Sequence, residues 1–197
     1  MTSRFAERVT ESTTQLGHVP VQTLEIAARH PFYQYVSPDG NFDDTFVFGL
    51  EIAPPVNTEV SKDLEIVPKV FNLLKLGEHL SIQTGVGVST LIGPEDGGAS
   101  ALEYNAVFGY ELLHDTLPIP GVVQTVPIFE IDGETALNHD ERGLNELVGV
   151  AGFRMNFESV KFLPGQPRIG LGYTFPLDDG ARQDFRWGII TSFILEY

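Results

Sequence analysis

A chain of 197 residues with 42% apolar and 20% charged side chains has the composition of one folded domain, or at most two, and not of a disordered tail. Twelve Lys and Arg against 27 Asp and Glu give a formal charge of −15, which argues against nucleic acid as a partner, since backbone binding needs clustered cations. The absence of cysteine excludes thiol catalysis, disulfides and Cys-ligated zinc, and no run approaches the roughly 18 apolar residues of a membrane-spanning helix. That last exclusion does not reach strands, which cross a bilayer in about 9–11 residues each. The acidity by itself fits plain solubility as well as it fits an interaction.

The opening stretch MTSRFAERVTESTTQLG has no apolar h-region and no small-residue cleavage site, so either the chain is cytoplasmic or its export signal is removed or lies upstream. Residues 1–21 read as an N-terminal extension or incomplete strand, and 22–197 as one β domain. Period-2 alternation dominates the rest. The spacing predicts strands at 22–35, 45–53 and 64–76, then a clearer one at 79–93, where Leu80, Ile82, Val86, Val88 and Ile92 oppose Ser81, Gln83, Gly85, Gly87 and Ser89. In 101–113, Leu102, Tyr104, Phe108 and Tyr110 oppose Glu103, Asn105 and Glu111. Strands at 122–134, 146–157, 168–177 and 185–197 complete about nine. Pro68 and Pro127 fall inside two of them, where a missing donor suggests a bulge. SPDGNFDD, GPEDGGAS, NHDERG and LDDGARQD supply turn residues between the strands, so the pattern is an antiparallel meander.

Alternation does not say which face is wet. A soluble barrel or sandwich turns its apolar face inward, and a membrane barrel turns it outward. Three details lean outward. Opposite charges recur on the polar faces: Glu25, Arg29, Glu51, Glu65, Lys69, Glu103, Glu111, Glu130, Glu146, Arg154, Arg168, Arg186 and Glu196. Several strands approach a dozen residues, beyond the usual 5–6 of soluble sheets. Aromatic residues gather near strand ends, as in Phe157, Tyr173, Phe175, Phe185, Trp187 and Tyr197, where a bilayer has its interfaces. The connections at the two ends differ little in length, which weakens the case, and both readings stay open on these grounds.

Three stretches carry a resemblance. ASALEYNAVFGYELL, PIFEIDGE followed by NELVGVAGFRMNF, and RIGLGYTFPLDDGARQDFRWGIITSFILEY resemble the closing strands of a bacterial outer-membrane barrel family labelled "meta-pathway of phenol degradation", whose members are described as transporters. The likeness covers roughly Thr45 to Tyr197 and is one of pattern. It implies an all-β, antiparallel, up-and-down transmembrane β-barrel in the outer membrane of a Gram-negative cell, non-enzymatic and without a cofactor. The bilayer, a small solute (aromatic or hydrophobic ones among them) and the outer-membrane assembly machinery, met through the C-terminal strand, would be its partners. About nine strands is an odd number, whereas single-chain bacterial barrels are even, so an N-terminally trimmed version of a larger barrel is expected.

On that reading the lumen candidates are Glu65, Lys69, Glu103, Glu111, Glu130, Arg154, Arg168 and Arg186, and the lipid-facing or interfacial rings are Tyr104, Phe108, Tyr173, Trp187, Phe193 and Tyr197. A soluble barrel or sandwich holding an apolar ligand inside is the alternative. Catalytic and metal motifs are hard to find. The five histidines, His18, His30, His79, His114 and His139, form no HExxH pair. Asp39, Asn41, Asp43 and Asp44 read more simply as a polar hairpin turn than as a calcium loop. The His–Asp pairs in HD (114–115) and NHDER (138–142) lack a nucleophile motif, and GVGVSTLIG lacks the phosphate-loop Lys.

Overall fold

The computed structural model describes residues 26–55, 62–94, 97–139, 142–159 and 165–196. The strands are β1 (Ile26–Val36), β2 (Phe42–Ala53), β3 (Leu64–Leu76), β4 (Leu80–Ile92), β5 (Ser100–Tyr110), β6 (Leu112–Leu113), β7 (Val122–Ala136), β8 (Asn145–Phe157), β9 (Gln166–Pro176) and β10 (Gly188–Glu196), with one helical turn, α1 (Ala181–Asp184), before the last. All belong to one antiparallel sheet in the order β1-β2-β3-β4-β5-β7-β8-β9-β10, with β6 paired to β7. Each strand pairs with its sequence neighbour, as hairpin turns dictate. Among the described residues the sheet is not closed: β1 and β10 are its two edges. No helix among the described residues is long and apolar enough to cross a membrane.

Several sequence expectations need correcting. Neither proline makes a bulge. Pro68 lies in a gap of the β3–β4 ladder with the same register on both sides, from Ile66 opposite Thr90 to Lys69 opposite Gly87. Pro127 sits where pairing along β7 passes from Gly109 opposite Ile128 to Leu112 opposite Thr125, again without a slip. A proline removes a donor without moving its neighbours, so one expected strand, 101–113, is split into β5 and β6. The bulges are elsewhere, at Pro31/Tyr33 in β1 and Val122/Gln124 in β7. The first one makes Phe32 the extra residue, sets both Phe32 and Tyr33 against Phe46 with ring centroids 6.2 and 6.0 Å away, and puts Tyr35 on the face of Ile26 and Ala28, because one extra residue inverts a period of two. The C-terminal strand starts at Gly188 and not at Phe185, since the chain first makes α1.

A one-layer sheet has no second sheet to cover it, so burial must come from its own curvature. The two faces fare differently. Val86 and Phe48 are 49% exposed and Ile189 and Phe193 about 60%, all on the face that carries the apolar alternation. On the opposite face Glu51 and Ser89 are only 6% exposed. The polar face is therefore the enclosed, inner one and the apolar face the open, outer one. Val36, Leu73, Leu113 and Ile190 are exposed exceptions on the inner face, the first three toward the first rim and the last on an edge strand. No large side chain among the described residues is fully buried, and the buried hydrophobic residues are seven: Val47, Val67, Phe71, Ala101, Val122, Val126 and Ala181.

The connections form two rims. At the first, Tyr35 meets Phe42 with ring centroids 6.0 Å apart, and His79 meets Tyr110 at 5.4 Å. At the second, Tyr173 stacks on Phe175 at 5.9 Å and on Trp187 at 6.3 Å. A polar clasp ties the second rim together. Asn145 accepts from the Tyr104 hydroxyl and the Thr135 hydroxyl, both at 2.7 Å, and donates to Asp178 at 2.8 Å. The other carboxylate oxygen of Asp178 accepts the Ala181 N–H at 2.9 Å and starts α1. That backbone bond, together with the Leu147 backbone, Asn145 and Arg182, holds the Asp178 carboxyl below its usual pKa.

Asn145→Ala should lower the unfolding free energy by about 1–3 kcal/mol, because it strands two hydroxyl donors and one carboxylate oxygen; urea unfolding measures it. A depressed carboxyl pKa stabilises above the unfolded value of about 3.9 and loses that contribution as pH falls through the folded one. Trp187, the only tryptophan, lies just beyond this turn. Its emission should hold steady above about pH 4, shift as the pH drops further, and lose most of that shift in Asp178→Asn.

Candidate functional site: the charged inner face

Strand pairing brings the inner-face charges of six strands into one transverse row. Glu51 on β2 accepts from Arg29 on β1 at 3.3 Å and pairs with Lys69 on β3. Lys69 also reaches Glu103 on β5 at 2.8 Å, passing over β4. Glu103 stands opposite Glu134 on β7, and Glu134 opposite Glu146 on β8. Two cations and four carboxylates thus share one level.

Glycine makes the crossing possible. Gly87 on β4 lies opposite both Lys69 and Glu103, and a Cβ there would stand 2.5 Å from the Lys69 Cγ and 2.9 Å from the Pro68 carbonyl oxygen. The lysine stem occupies the space a side chain would need. Phe71 uses the same device on the next inner position of β3. Its ring leans over Gly49 on one side and Gly85 on the other, 2.7 Å and 3.0 Å from where their Cβ atoms would be. The Arg29 guanidinium caps that ring at 4.7 Å from its centroid, a cation–π contact that also fixes the arginine beside Glu51. Beside this layer is a cavity of about 260 Å³, lined among others by Lys69, Phe71, Glu103, Asn105, Asp132 and Glu146.

Toward the first rim a second network crosses the same face. Lys75 lies 3.4 Å from Glu111, Gln124 donates to Glu111 at 2.8 Å, and Asn156 donates to Gln124 at 2.5 Å. Arg154 and Arg168 sit beside it on β8 and β9, opposite Val126 and Asn156.

Of the eight lumen candidates, Glu65, Lys69, Glu103, Glu130, Arg154 and Arg168 occupy inner-face positions of strands. Glu111 falls at the break between β5 and β6, and the structure places Arg186 outside any strand, exposed in the connection after α1. The candidate rings Tyr104, Phe108, Tyr173 and Phe193 are on the outer face, Trp187 is 62% exposed beside Tyr173, and Tyr197 lies outside the described residues. Asp39 and Asn41 stay in the β1–β2 turn, while Asp43 and Asp44 alternate across the two faces of β2, with Asp44 accepting from Asn72 at 2.5 Å. His79 and His114 each lie 2.8 Å from a backbone carbonyl, of Glu111 and Val122. Asn138 of NHDER bridges two connections, accepting from Ser100 N–H and donating to the Gly98 carbonyl. No group of three acidic or histidine side chains among the described residues converges on a metal position.

Alternation alone did not single out Arg29, Glu51 and Glu134 as members of a row, since register decides who faces whom. Glu134 also lies at the very end of the expected 122–134 strand, whereas β7 continues to Ala136. Comparison with family models, with curated proteins and with solved structures found no match.

Lys69→Met should cost about 1–3 kcal/mol in urea unfolding experiments, because the buried Glu51 keeps only Arg29. Gly87→Val should cost a similar 1–3 kcal/mol by overpacking, and the two losses should be clearly less than additive, since both displace the same lysine.

Proposed function

We propose that this chain is a bacterial outer-membrane β-barrel that lets small solutes pass the bilayer passively, cations somewhat more readily than anions. The observation that carries the reading is the inversion of the two faces: the enclosed side bears Glu51, Lys69, Glu103 and Ser89, and the open side bears Phe48, Val86, Tyr173 and Ile189. In water such an outer face would be an aggregation surface; against hydrocarbon it is the expected one.

Dimensions agree with this. An 11-residue strand extends about 36 Å, or roughly 28 Å along an axis it crosses at about 40°, close to the ~30 Å hydrocarbon layer. The ring pairs at both rims suit the two interfaces. The edge strands β1 and β10 run in the same direction, so a barrel antiparallel throughout needs an odd number of further strands between them. With nine long strands already in the path, that makes the total even. A soluble container for an apolar ligand is less well supported, because the cavity on the enclosed face is lined by carboxylates and a lysine.

Trp187 is a built-in test, being the only tryptophan and on the outer side. Reconstituted in vesicles of lipids brominated along the acyl chain, it should be strongly quenched, while water-soluble acrylamide quenches it little. The reverse pattern, together with a monodisperse protein in detergent-free buffer, would show that the outer face meets water and would end the membrane reading.

A further inference from the structure

Resting on that reading, we infer that the Arg29–Glu51–Lys69–Glu103 bridge is the constriction of the pore and that Lys69 is the residue that sets its charge selectivity. Three observations lead there. The bridge spans the inner face from β1 to β5, and in a closed barrel of about ten strands, whose interior is narrow, side chains lying across that face obstruct it. It is built with its own clearance: glycine stands at 49, 85 and 87, where Phe71 and Lys69 lie flat, so the obstruction belongs to the fold and is not an incidental contact. The row it joins sets Glu51, Glu103, Glu134 and Glu146 at one level, with Lys69 bridging the first two. Lys69 lies between Glu51 and Glu103 and its single positive charge is shared by the two, so the field a passing ion meets depends on this ammonium more than on any exposed loop charge.

The prediction has opposite signs at the two ends of one ion pair. Replacing Lys69 by methionine uncovers carboxylate charge and takes away the ammonium that links Glu51 to Glu103, while the stem over Gly87 stays. Removing the charge of Glu103 clears no space and lowers the acidic excess. A bridge that only stiffened the sheet would give both variants the same change.

Planar-bilayer recordings under a KCl gradient read this directly, using the full chain and Lys69→Met, Glu103→Gln, Lys69→Arg and Arg182→Met. The last removes a cation from an exposed rim turn, where Arg182 holds Asp179 at 2.8 Å. Lys69→Met should raise the K⁺/Cl⁻ permeability ratio by about twofold or more and increase single-channel conductance, whereas Glu103→Gln should lower the ratio. Lys69→Arg should stay near the unmodified protein, and Arg182→Met should move the ratio much less than Lys69→Met. Current only from Lys69→Met supports the bridge as an obstruction. Equal shifts in Lys69→Met and Arg182→Met, or shifts of one sign in Lys69→Met and Glu103→Gln, overturn the inference while leaving a conducting barrel in place. Absence of current from every protein overturns both the constriction and the channel, and Trp187 quenching by brominated lipid then still decides the membrane reading separately.

Discussion

A sheet one layer thick must find a cover for each of its faces, and every other feature of this chain follows from how the two are covered. Between the two edges, backbone groups are satisfied along the ladder, which leaves the side chains of each face to be accommodated. Curvature encloses one face and exposes the other. In a soluble protein the apolar face is the enclosed one, because burying it supplies the main driving force. Here the enclosed face carries ion pairs and the open face carries Leu, Ile, Val and aromatic side chains. That arrangement has a low free energy only where the surroundings of the open face are apolar, which is the ground for the proposed bilayer contact.

Enclosing charge has its own cost, and the inner face shows how it is offset. A buried carboxylate such as Glu51 is tolerable because Arg29 and Lys69 both reach it. Reaching requires long side chains to lie along the sheet and not stand off it, and this requires neighbours without a Cβ. The glycine at 87 is thus part of the ion-pair design, and those at 49 and 85 make the same room for Phe71, the ring that Arg29 caps. The outer face repeats the device with rings: Tyr104 lies over Gly133 and Phe175 over Gly149, each covering backbone that the glycine leaves bare.

The two rims are built differently from the wall between them. Along the wall the register repeats with few interruptions, and the two prolines pass without shifting it. At the rims the backbone turns, and side chains take over its hydrogen bonds, as Asp39 does in the first turn and Asp178 before α1. In the first turn the Ser37 hydroxyl and then Asn41 keep the Asp39 carboxyl below its usual pKa, so both turns favour the ionised acid. Part of the strong negative charge of the chain is therefore structural at its ends, and not only a solubilising coat.

What was legible in the sequence is what a period of two can encode. Strand existence, antiparallel order and the membership of each face followed from Leu80 to Ile92, from Leu102 to Tyr110 and from Ile169 to Phe175, because successive Cβ atoms must point to opposite sides. Which face curls inward could not be read there, since alternation is symmetric between inside and outside. Nor could the bulge that re-phases Tyr33 and Tyr35, or the partnership of Lys69 with both Glu51 and Glu103 across Gly87. Those depend on strand register and sheet curvature. Both are set by contacts between residues far apart in the chain, and only the folded sheet brings such residues together.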